Sequence, residues 1–398
     1  MLQFNKTNFK NKRVVMRVDF NVPLNASFEV TDDTRIAGAQ ATISKIISDG
    51  GSVVLMSHLG RPKGGPEKKY SLQHILPTLQ NYFPDTKINF TDDSISDDAF
   101  SKSKSLESGE ILLLENLRFY PQEEKGDKEF AAKLAKHGDI YINDAFGTAH
   151  REHASTATIA QYFDADHKGF GYLMSAEVEN ATKVLHDSVS PVTAIVGGAK
   201  VSDKIQLLER LIDSMDNILI GGGMAYTFIA AQGGKIGKSL FEPDYTELAL
   251  TILDKAKAQN TTIYLPVDSI IADKFSVDAT AKTVASNDIP DEWMGLDIGP
   301  KATQTYSQVI QSSKTILWNG PMGVFEFENF SNGTFSVAKA VAEATDNGAF
   351  SLIGGGDSVS AINKSGLDER VSYVSTGGGA MLEFLEGKEL PGIKAIKD

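Results

Sequence analysis

The sequence contains no cysteine. Disulfides, thiolate-held metals and a cysteine nucleophile are therefore excluded, and a reducing compartment suits the chain. No apolar run approaches the ~20 residues that cross a bilayer, and the opening stretch MLQFNKTNFKNKR lacks a signal peptide's apolar core. Basic residues are in deficit: 39 Lys and Arg against 52 Asp and Glu leave a net charge of −13. That balance argues against nonspecific nucleic-acid binding, which needs a basic face. Two nucleotide fingerprints are missing as well. The pattern G-x-x-x-x-G-K-[ST] is approached only by QGGKIGKS (232–239), where Gln232 takes the place of the first glycine, and no G-x-G-x-x-G occurs. A cytoplasmic enzyme is the default expectation, and any nucleotide site in it must be built differently.

What is present is the composition of an ordinary globular protein, 41% hydrophobic and 23% charged over 398 residues. That length exceeds one ordinary core and predicts two domains. Ten short apolar runs alternate with helical patterns. They are RVVMRVDF (13–20), SVVLMSH (52–58), ILLLEN (111–116), IYINDAF (140–146) and TAIVGG (193–198), then NILIGGG (217–223), TIYLP (262–266), TILWNG (315–320), FSLIGGGD (350–357) and YVSTGGG (373–379). Uninterrupted Val/Ile/Leu runs of this kind predict parallel strands buried on both faces. Val201, Ile205, Leu208 and Ile212 mark one helical stripe between them. The fold class is α/β, doubly wound, built twice. The polar run 92–105 is read as solvated surface.

Ligands of open parallel sheets bind beyond the carboxyl ends of the strands, and there the two halves differ. The first half ends its strands in Asp19-Phe20-Asn21, His58-Leu59-Gly60-Arg61, Glu115-Asn116-Leu117-Arg118 and Asn143-Asp144. The second ends them in glycine: Gly197-Gly198, Gly221-Gly222-Gly223, Asn319-Gly320-Pro321, Gly354-Gly355-Gly356-Asp357 and Gly377-Gly378-Gly379. The halves hold different ligands. Only eight basic residues are arginine, and six of them (Arg13, Arg17, Arg35, Arg61, Arg118, Arg151) fall in the first 151 positions. The guanidinium fork suits bidentate capture of carboxylate or phosphate. One such arginine is adequately explained as a surface ion pair, whereas Arg35, Arg61, Arg118 and Arg151 together predict a small anionic ligand. His150 and His153 lack the carboxylate spacing of a zinc site, which favours imidazoles in a cationic pocket or a structural role.

Glycine after a strand permits positive φ and close approach of backbone, and a helix starting there offers free N–H groups to anions. A single cluster is explained by a tight turn, but five favour a phosphate grip. Lys200 and Lys204, one helical turn apart after Gly197-Gly198, add charge, and Asp357 is the kind of carboxylate that holds Mg²⁺ together with phosphate oxygens.

VDFNVP (18–23), DDTRI (32–36), SHLGRPKG (57–64), LLLENLRFYP (112–121) and NDAFGTAHREHAST (143–156) resemble the phosphoglycerate kinase family. So do GGAKVSDKI (197–205), DIGPKA (297–302), WNGPMGVFE (318–326), GGGDS (354–358), STGGGA (375–380) and EGKELPG (386–392), all in family order. The resemblance implies two Rossmann-like domains separated by a cleft and joined by a helix. These would be a substrate domain over 1–173 to which 383–398 returns, a linking helix within 174–188, and a nucleotide domain over 189–382. It implies reversible phosphoryl transfer between 1,3-bisphosphoglycerate and MgADP by a cytoplasmic monomer. Carried over by position, Asp19, Asn21, Arg35, His58, Leu59, Gly60, Arg61, Arg118 and Arg151 would hold the glycerate ligand. Lys200, Lys204, Gly221, Gly222, Gly295, Pro321, Glu326, Gly355, Gly356, Asp357 and Ser358 would hold the nucleotide, Asp357 through magnesium. Arg35, Lys200, Gly377 and Gly378 would face the group in transfer. Two positions depart from the family: Met381 stands where serine is usual after GGGA, and Gly38-Ala39-Gln40 replaces an alanine-rich stretch. A dehydrogenase is disfavoured by the missing dinucleotide fingerprint. A nucleotide-dependent scaffold would keep the glycines without needing Lys200 or the four arginines.

Overall fold

The computed structural model describes residues 1–398. The chain forms two compact units, Met1–Val178 with Glu389–Asp398, and Glu179–Lys388. The helix Tyr172–Leu185 therefore runs from one unit into the other, and residues 383–388, expected to return with the tail, stay in the second unit. No helix is long and apolar enough to cross a membrane.

In the first unit β1 (Arg13–Val18), β2 (Ser52–Met56), β3 (Ile88–Thr91), β4 (Ile111–Leu114), β5 (Ile140–Asp144) and β6 (Lys168–Phe170) form one sheet. Its order is β3-β4-β2-β1-β5-β6, with every pair parallel. β2, β4 and β5 are buried at every position, as a sheet covered on both faces requires. The sequence did not flag β3 and β6. Both are short edge strands, and β3 carries one fully buried residue, so neither has a continuous apolar run. Helix Thr34–Ser48 lays Ile36, Ala39, Ile43 and Ile46 on the core. A Cβ at Gly38 would stand 2.7 Å from Leu173 Cδ1, so the Gly38 departure admits the linking helix. The run 92–105 is more than surface. It contains helix Asp97–Lys104 capped by Ser96, and buried Ser94 donates to the Glu115 carbonyl at 2.9 Å.

In the second unit β7 (Val192–Val196), β8 (Asn217–Ile220), β9 (Lys235–Ile236), β10 (Thr262–Tyr264), β11 (Asp268–Ala272), β12 (Ala281–Ala285), β13 (Asp288–Ile289), β14 (Met294–Ile298), β15 (Thr315–Asn319), β16 (Phe350–Gly354) and β17 (Tyr373–Val374) follow. The parallel sheet has the order β10-β8-β7-β15-β16-β17, beside a three-stranded β12-β11-β14 sheet and a β13-β9 pair. All ten apolar runs are strands of the two large sheets. The antiparallel sheet was not anticipated, because β12 is almost wholly exposed and has no apolar run. The helix after β7 begins at Ile205, with Lys204 at its N-cap position, and buries Leu207, Leu208, Leu211 and Ile212. Val201 lies before it, so Lys200 and Lys204 are not one helical turn apart.

In both large sheets the crossovers leave the centre in opposite directions, at β1/β5 and at β7/β15. Each switch opens a crevice at the strand ends.

Asp144, at the end of β5, illustrates the first of these. Its Oδ1 accepts from Met174 N at 3.0 Å, capping the linking helix, while its buried Oδ2 has no partner. Burial pushes the carboxyl up to about 7. A raised carboxyl binds its proton in the folded state while the unfolded chain, near 3.9, releases it. The stability this group contributes is therefore present at low pH and declines between about 4 and 7. Asp144→Asn should flatten that decline in urea unfolding followed by circular dichroism. An unchanged pH slope would mean that Asp144 is ionised throughout.

Candidate functional sites

The first unit places Arg17, Arg35 and Arg118 around the carboxyl ends of β1, β2 and β4. Arg17 lies inside β1 and is 1% exposed. A buried guanidinium must be satisfied by its surroundings. Its Nε donates to Ser155 Oγ at 2.8 Å, one arm donates to the Val18 carbonyl, and Nη2 lies 3.2 Å from His58 Nδ1. Ser155 in turn donates to buried Glu123, from its amide at 3.0 Å and its hydroxyl at 2.5 Å. Arginine has no acceptor, so His58 Nδ1 must accept. The His58 proton then sits on Nε2, free to donate. Burial first, then Arg17, Arg118, Arg35 and His153, hold His58 well below the ordinary imidazole range, so the ring is neutral at physiological pH. His153 is pushed down to about 4 by burial and by Arg17, Arg118, Arg151 and His150.

The loops around this core are tied by amides and carboxylates. Arg35 Nη1 reaches both Asp19 oxygens and the Asn21 carbonyl, each at 3.1 Å. Asn21 Oδ1 accepts from Gly60 N at 2.8 Å, and Arg118 Nη1 donates to the Gly60 carbonyl at 2.7 Å. Gly60 has φ +62°, and a Cβ there would strike the Tyr70 ring. Asn116, buried at the end of β4, accepts from Leu59 N at 3.2 Å and donates to the carbonyls of Leu59 at 2.7 Å and Tyr70 at 2.9 Å. Leu59 itself is buried. Arg61 and Arg151 are exposed, although Arg61 acts on Arg118 and Arg151 on His153 electrostatically. The structure thus joins Asp19, Asn21, Arg35, His58, Gly60 and Arg118 in one network, with Arg61 and Arg151 exposed and linked to it electrostatically, and its positive charge exceeds what Asp19, Glu123 and Glu124 balance.

Sequence reasoning missed Arg17, Asn116, Glu123 and Ser155 as members of this network. The visible signals were an arginine inside the apolar run of β1 and the place of Asn116 at a strand end.

In the second unit the switch between β7 and β15 is closed by backbone. A Cβ at Gly197 would collide with the Pro321 carbonyl, and one at Gly320 with the Gly197 carbonyl. Gly222, with φ +71°, leans on the Gly198 backbone in the same way. A cavity of about 520 Å³ opens beside them, a size suited to a small-molecule ligand. Gly222, Gly295, Pro321, Glu326 and Asp357 line it, as do Tyr226, Leu240, Phe275 and Asp297, which had not been singled out. Gly295 has no room for a side chain because Tyr226 Oη occupies the space. Tyr226 Oη is fixed by donation to Ser269 Oγ at 3.0 Å.

The remaining expected contacts separate into two kinds. Lys204 Nζ donates to Asn319 Oδ1, and burial lowers its pKa. The Asn319 Nδ2 group is buried without a partner. Gly355 (φ +89°) precedes helix Gly356–Ser365, whose first turn carries exposed Asp357. Gly378 opens helix Gly378–Leu385, and its Cβ position lies 3.5 Å from Gly356 N, so two helix N-termini converge. Ser358 and Gly221 differ from expectation. Ser358 is buried and its Oγ accepts from Gly320 N at 2.5 Å, so it braces the loop. Gly221 is buried against Met322 and does not line the cavity. Met381 is fully buried and packs by Gly354, so its side chain does not face an anion. Lys200 is exposed in the turn after Gly198. No group of three or more His, Cys, Asp or Glu could hold a metal alone. Asp357 fits a magnesium site only in the mode where phosphate oxygens complete the shell.

The model of the family described as phosphoglycerate kinase matches residues 4–388. A phosphoglycerate kinase of Porphyromonas gingivalis is 52% identical, with 98% of each chain covered. A cytosolic phosphoglycerate kinase of Nicotiana tabacum is 48% identical over 99% of this chain and 97% of the relative. Among solved structures, that of phosphoglycerate kinase from Coxiella burnetii superposes with a TM-score of 0.90 at 41% identity, covering 99% of this chain and 98% of the other.

The glycine contact at β7/β15 supplies a test that needs no ligand. Gly197→Ala should cost about 1–3 kcal/mol, the usual range for overpacking, in urea unfolding followed by the fluorescence of buried Trp318. Unaltered stability would show that segment 320–321 yields freely.

Proposed function

Because this chain belongs to the phosphoglycerate kinase family, we propose that it moves a phosphoryl group reversibly between 1,3-bisphosphoglycerate and MgADP, giving 3-phosphoglycerate and MgATP. The observation that carries this reading is the contrast of sites: a guanidinium-rich anion site in the first unit and a glycine-lined cavity in the second. The three-carbon acid is held by Asp19, Asn21, Arg35, His58, Arg61, Arg118 and Arg151, with Leu59 and Gly60 shaping the loop. The nucleotide lies along Gly222, Gly295, Pro321 and Glu326, its phosphates toward Lys204, Gly355, Gly356 and Asp357.

The acceptor in the ATP-consuming direction is a carboxylate, ionised at neutral pH, so no base is needed. Neutral His58 serves as a hydrogen-bond donor. What remains is in-line placement and neutralisation of charge on a loose transition state. Arg35, Lys200 and the amides of Gly377 and Gly378 perform that neutralisation. Asp357 would hold Mg²⁺, which when bound shields the nucleotide phosphates. Transfer in this reading requires the acid and the nucleotide to meet with water excluded. We propose that the chain bends for this where it crosses between the units, within helix Tyr172–Leu185 and at Lys388/Glu389. A cytoplasmic location agrees with the absence of cysteine and with a relative named cytosolic, and the chain is proposed to act as a monomer.

A coupled assay for ATP formation from 1,3-bisphosphoglycerate and ADP tests the reaction, and no activity would end the proposal. Lys200→Ala should lower kcat on the order of 10³–10⁵-fold, as loss of a transition-state cation does, while ADP affinity changes far less. Equal losses in both would make Lys200 a binding residue only.

A further inference from the structure

We infer that Glu242 is a positioning residue for Lys200, acting by clamping the turn that carries it. Lys200 sits in the segment between β7 and helix Ile205–Ile212, whose internal backbone bond runs from Lys204 N to Val201 O at 2.8 Å. A turn so sparsely bonded does not fix a long lysine side chain. Glu242 supplies the missing restraint. Its Oε2 accepts from Ser202 N at 3.1 Å and its Oε1 from Ser202 Oγ at 2.6 Å. One side chain thus engages both the backbone and the hydroxyl of the residue two places beyond Lys200.

Glu242 is itself anchored. Its amide donates to Thr227 Oγ1 at 3.2 Å. Thr227 is buried in helix Met224–Ala231. The Glu242 carbonyl receives Tyr245 N at 3.1 Å in the turn closed by Pro243. Leu240, two residues earlier, lines the cavity. The clamp therefore ties the lysine turn to the wall of the proposed nucleotide pocket. The carboxyl is also electrically coupled to that turn. Burial works to raise its pKa, but the Ser202 hydroxyl and amide, the Val201 amide and the Lys200 charge outweigh it and leave it lowered. Glu242 is thus an anion at physiological pH, and its charge acts on Lys200 without an ion pair between them. With both its oxygens engaged by Ser202, it restrains Lys200 and leaves the lysine exposed.

This inference rests on the reading of Lys200 as the cation facing the transferring phosphoryl group. It goes further by naming what holds that cation in place. The test is steady-state kinetics on the full-length chain with 3-phosphoglycerate and MgATP for Glu242→Gln, Ser202→Ala and both substitutions in a Lys200→Ala background. Glu242→Gln keeps the reach of the side chain and removes its charge. It should lower kcat on the order of ten- to a hundredfold, the penalty for a misplaced catalytic group. The nucleotide KM should stay level or fall, because an anion near the phosphates has been removed. Ser202→Ala loosens the clamp and leaves the charge, and should lower kcat less. In the Lys200→Ala background the Glu242→Gln effect should vanish, since residues acting through one another are not additive.

A merely structural role would instead raise KM and persist without Lys200, and either result overturns the proposal. So does an unaltered kcat in Glu242→Gln while Lys200→Ala is impaired, and then the reading of Lys200 stands. Full activity in Lys200→Ala removes both. If Glu242→Gln does not fold, Glu242→Asp and Ser202→Ala carry the same comparison in the two backgrounds.

Discussion

The second unit depends on two stretches of main chain lying against each other where β7 and β15 end. Gly197 and Gly320 meet so closely that neither can bear a side chain. Only bare backbone can fill a switch point this tightly and still present amides to a ligand. The neighbouring features follow from that constraint. Ser358 braces Gly320 from one side, Gly222 rests on Gly198, and Lys204 ties the turn to Asn319. The cavity is the space left beside this seam.

The first unit solves anion capture with side chains. Arg17 cannot leave the sheet, so its charge is a permanent part of the site, and Ser155, Glu123 and His58 are arranged to satisfy it. One consequence is chemical. A neutral His58 adds a donor without adding a cation to a crowd of guanidinium groups. Another is energetic. Like charges held close raise the energy of the empty site, and a bound anion relieves that repulsion. The two units thus differ in what lines their strand ends, guanidinium side chains in one and bare backbone in the other.

Most of this was legible in the residues. Continuous apolar runs marked every inner strand of both sheets, because a strand covered on both faces has to be apolar along its length. The short edge strands β3 and β6 and the exposed β12 were not legible, since INFT, KGF and AKTVA each lack a continuous apolar run. Arg35, Arg61, Arg118 and Arg151 stood out by contrast with lysine elsewhere. Arg17 was counted with them, but its buried role was not legible, because that role comes from partners as distant in sequence as Ser155. Ser358 shows the opposite limit. Its place beside Asp357 suggested a ligand contact, yet the helix turns the hydroxyl inward, to the Gly320 amide. Neighbours along the chain share a motif without sharing a direction.

The last stretch of chain, Glu389–Asp398, belongs to the first unit. Asn143 donates to the Gly392 carbonyl at 3.3 Å, and Lys168 to that of Ala395 at 3.0 Å. During synthesis the whole of the second unit leaves the ribosome before these residues do. The intervening body can therefore mature first, while the amino-terminal one waits for its closing piece. The usual order of cotranslational assembly would then run backwards in this polypeptide.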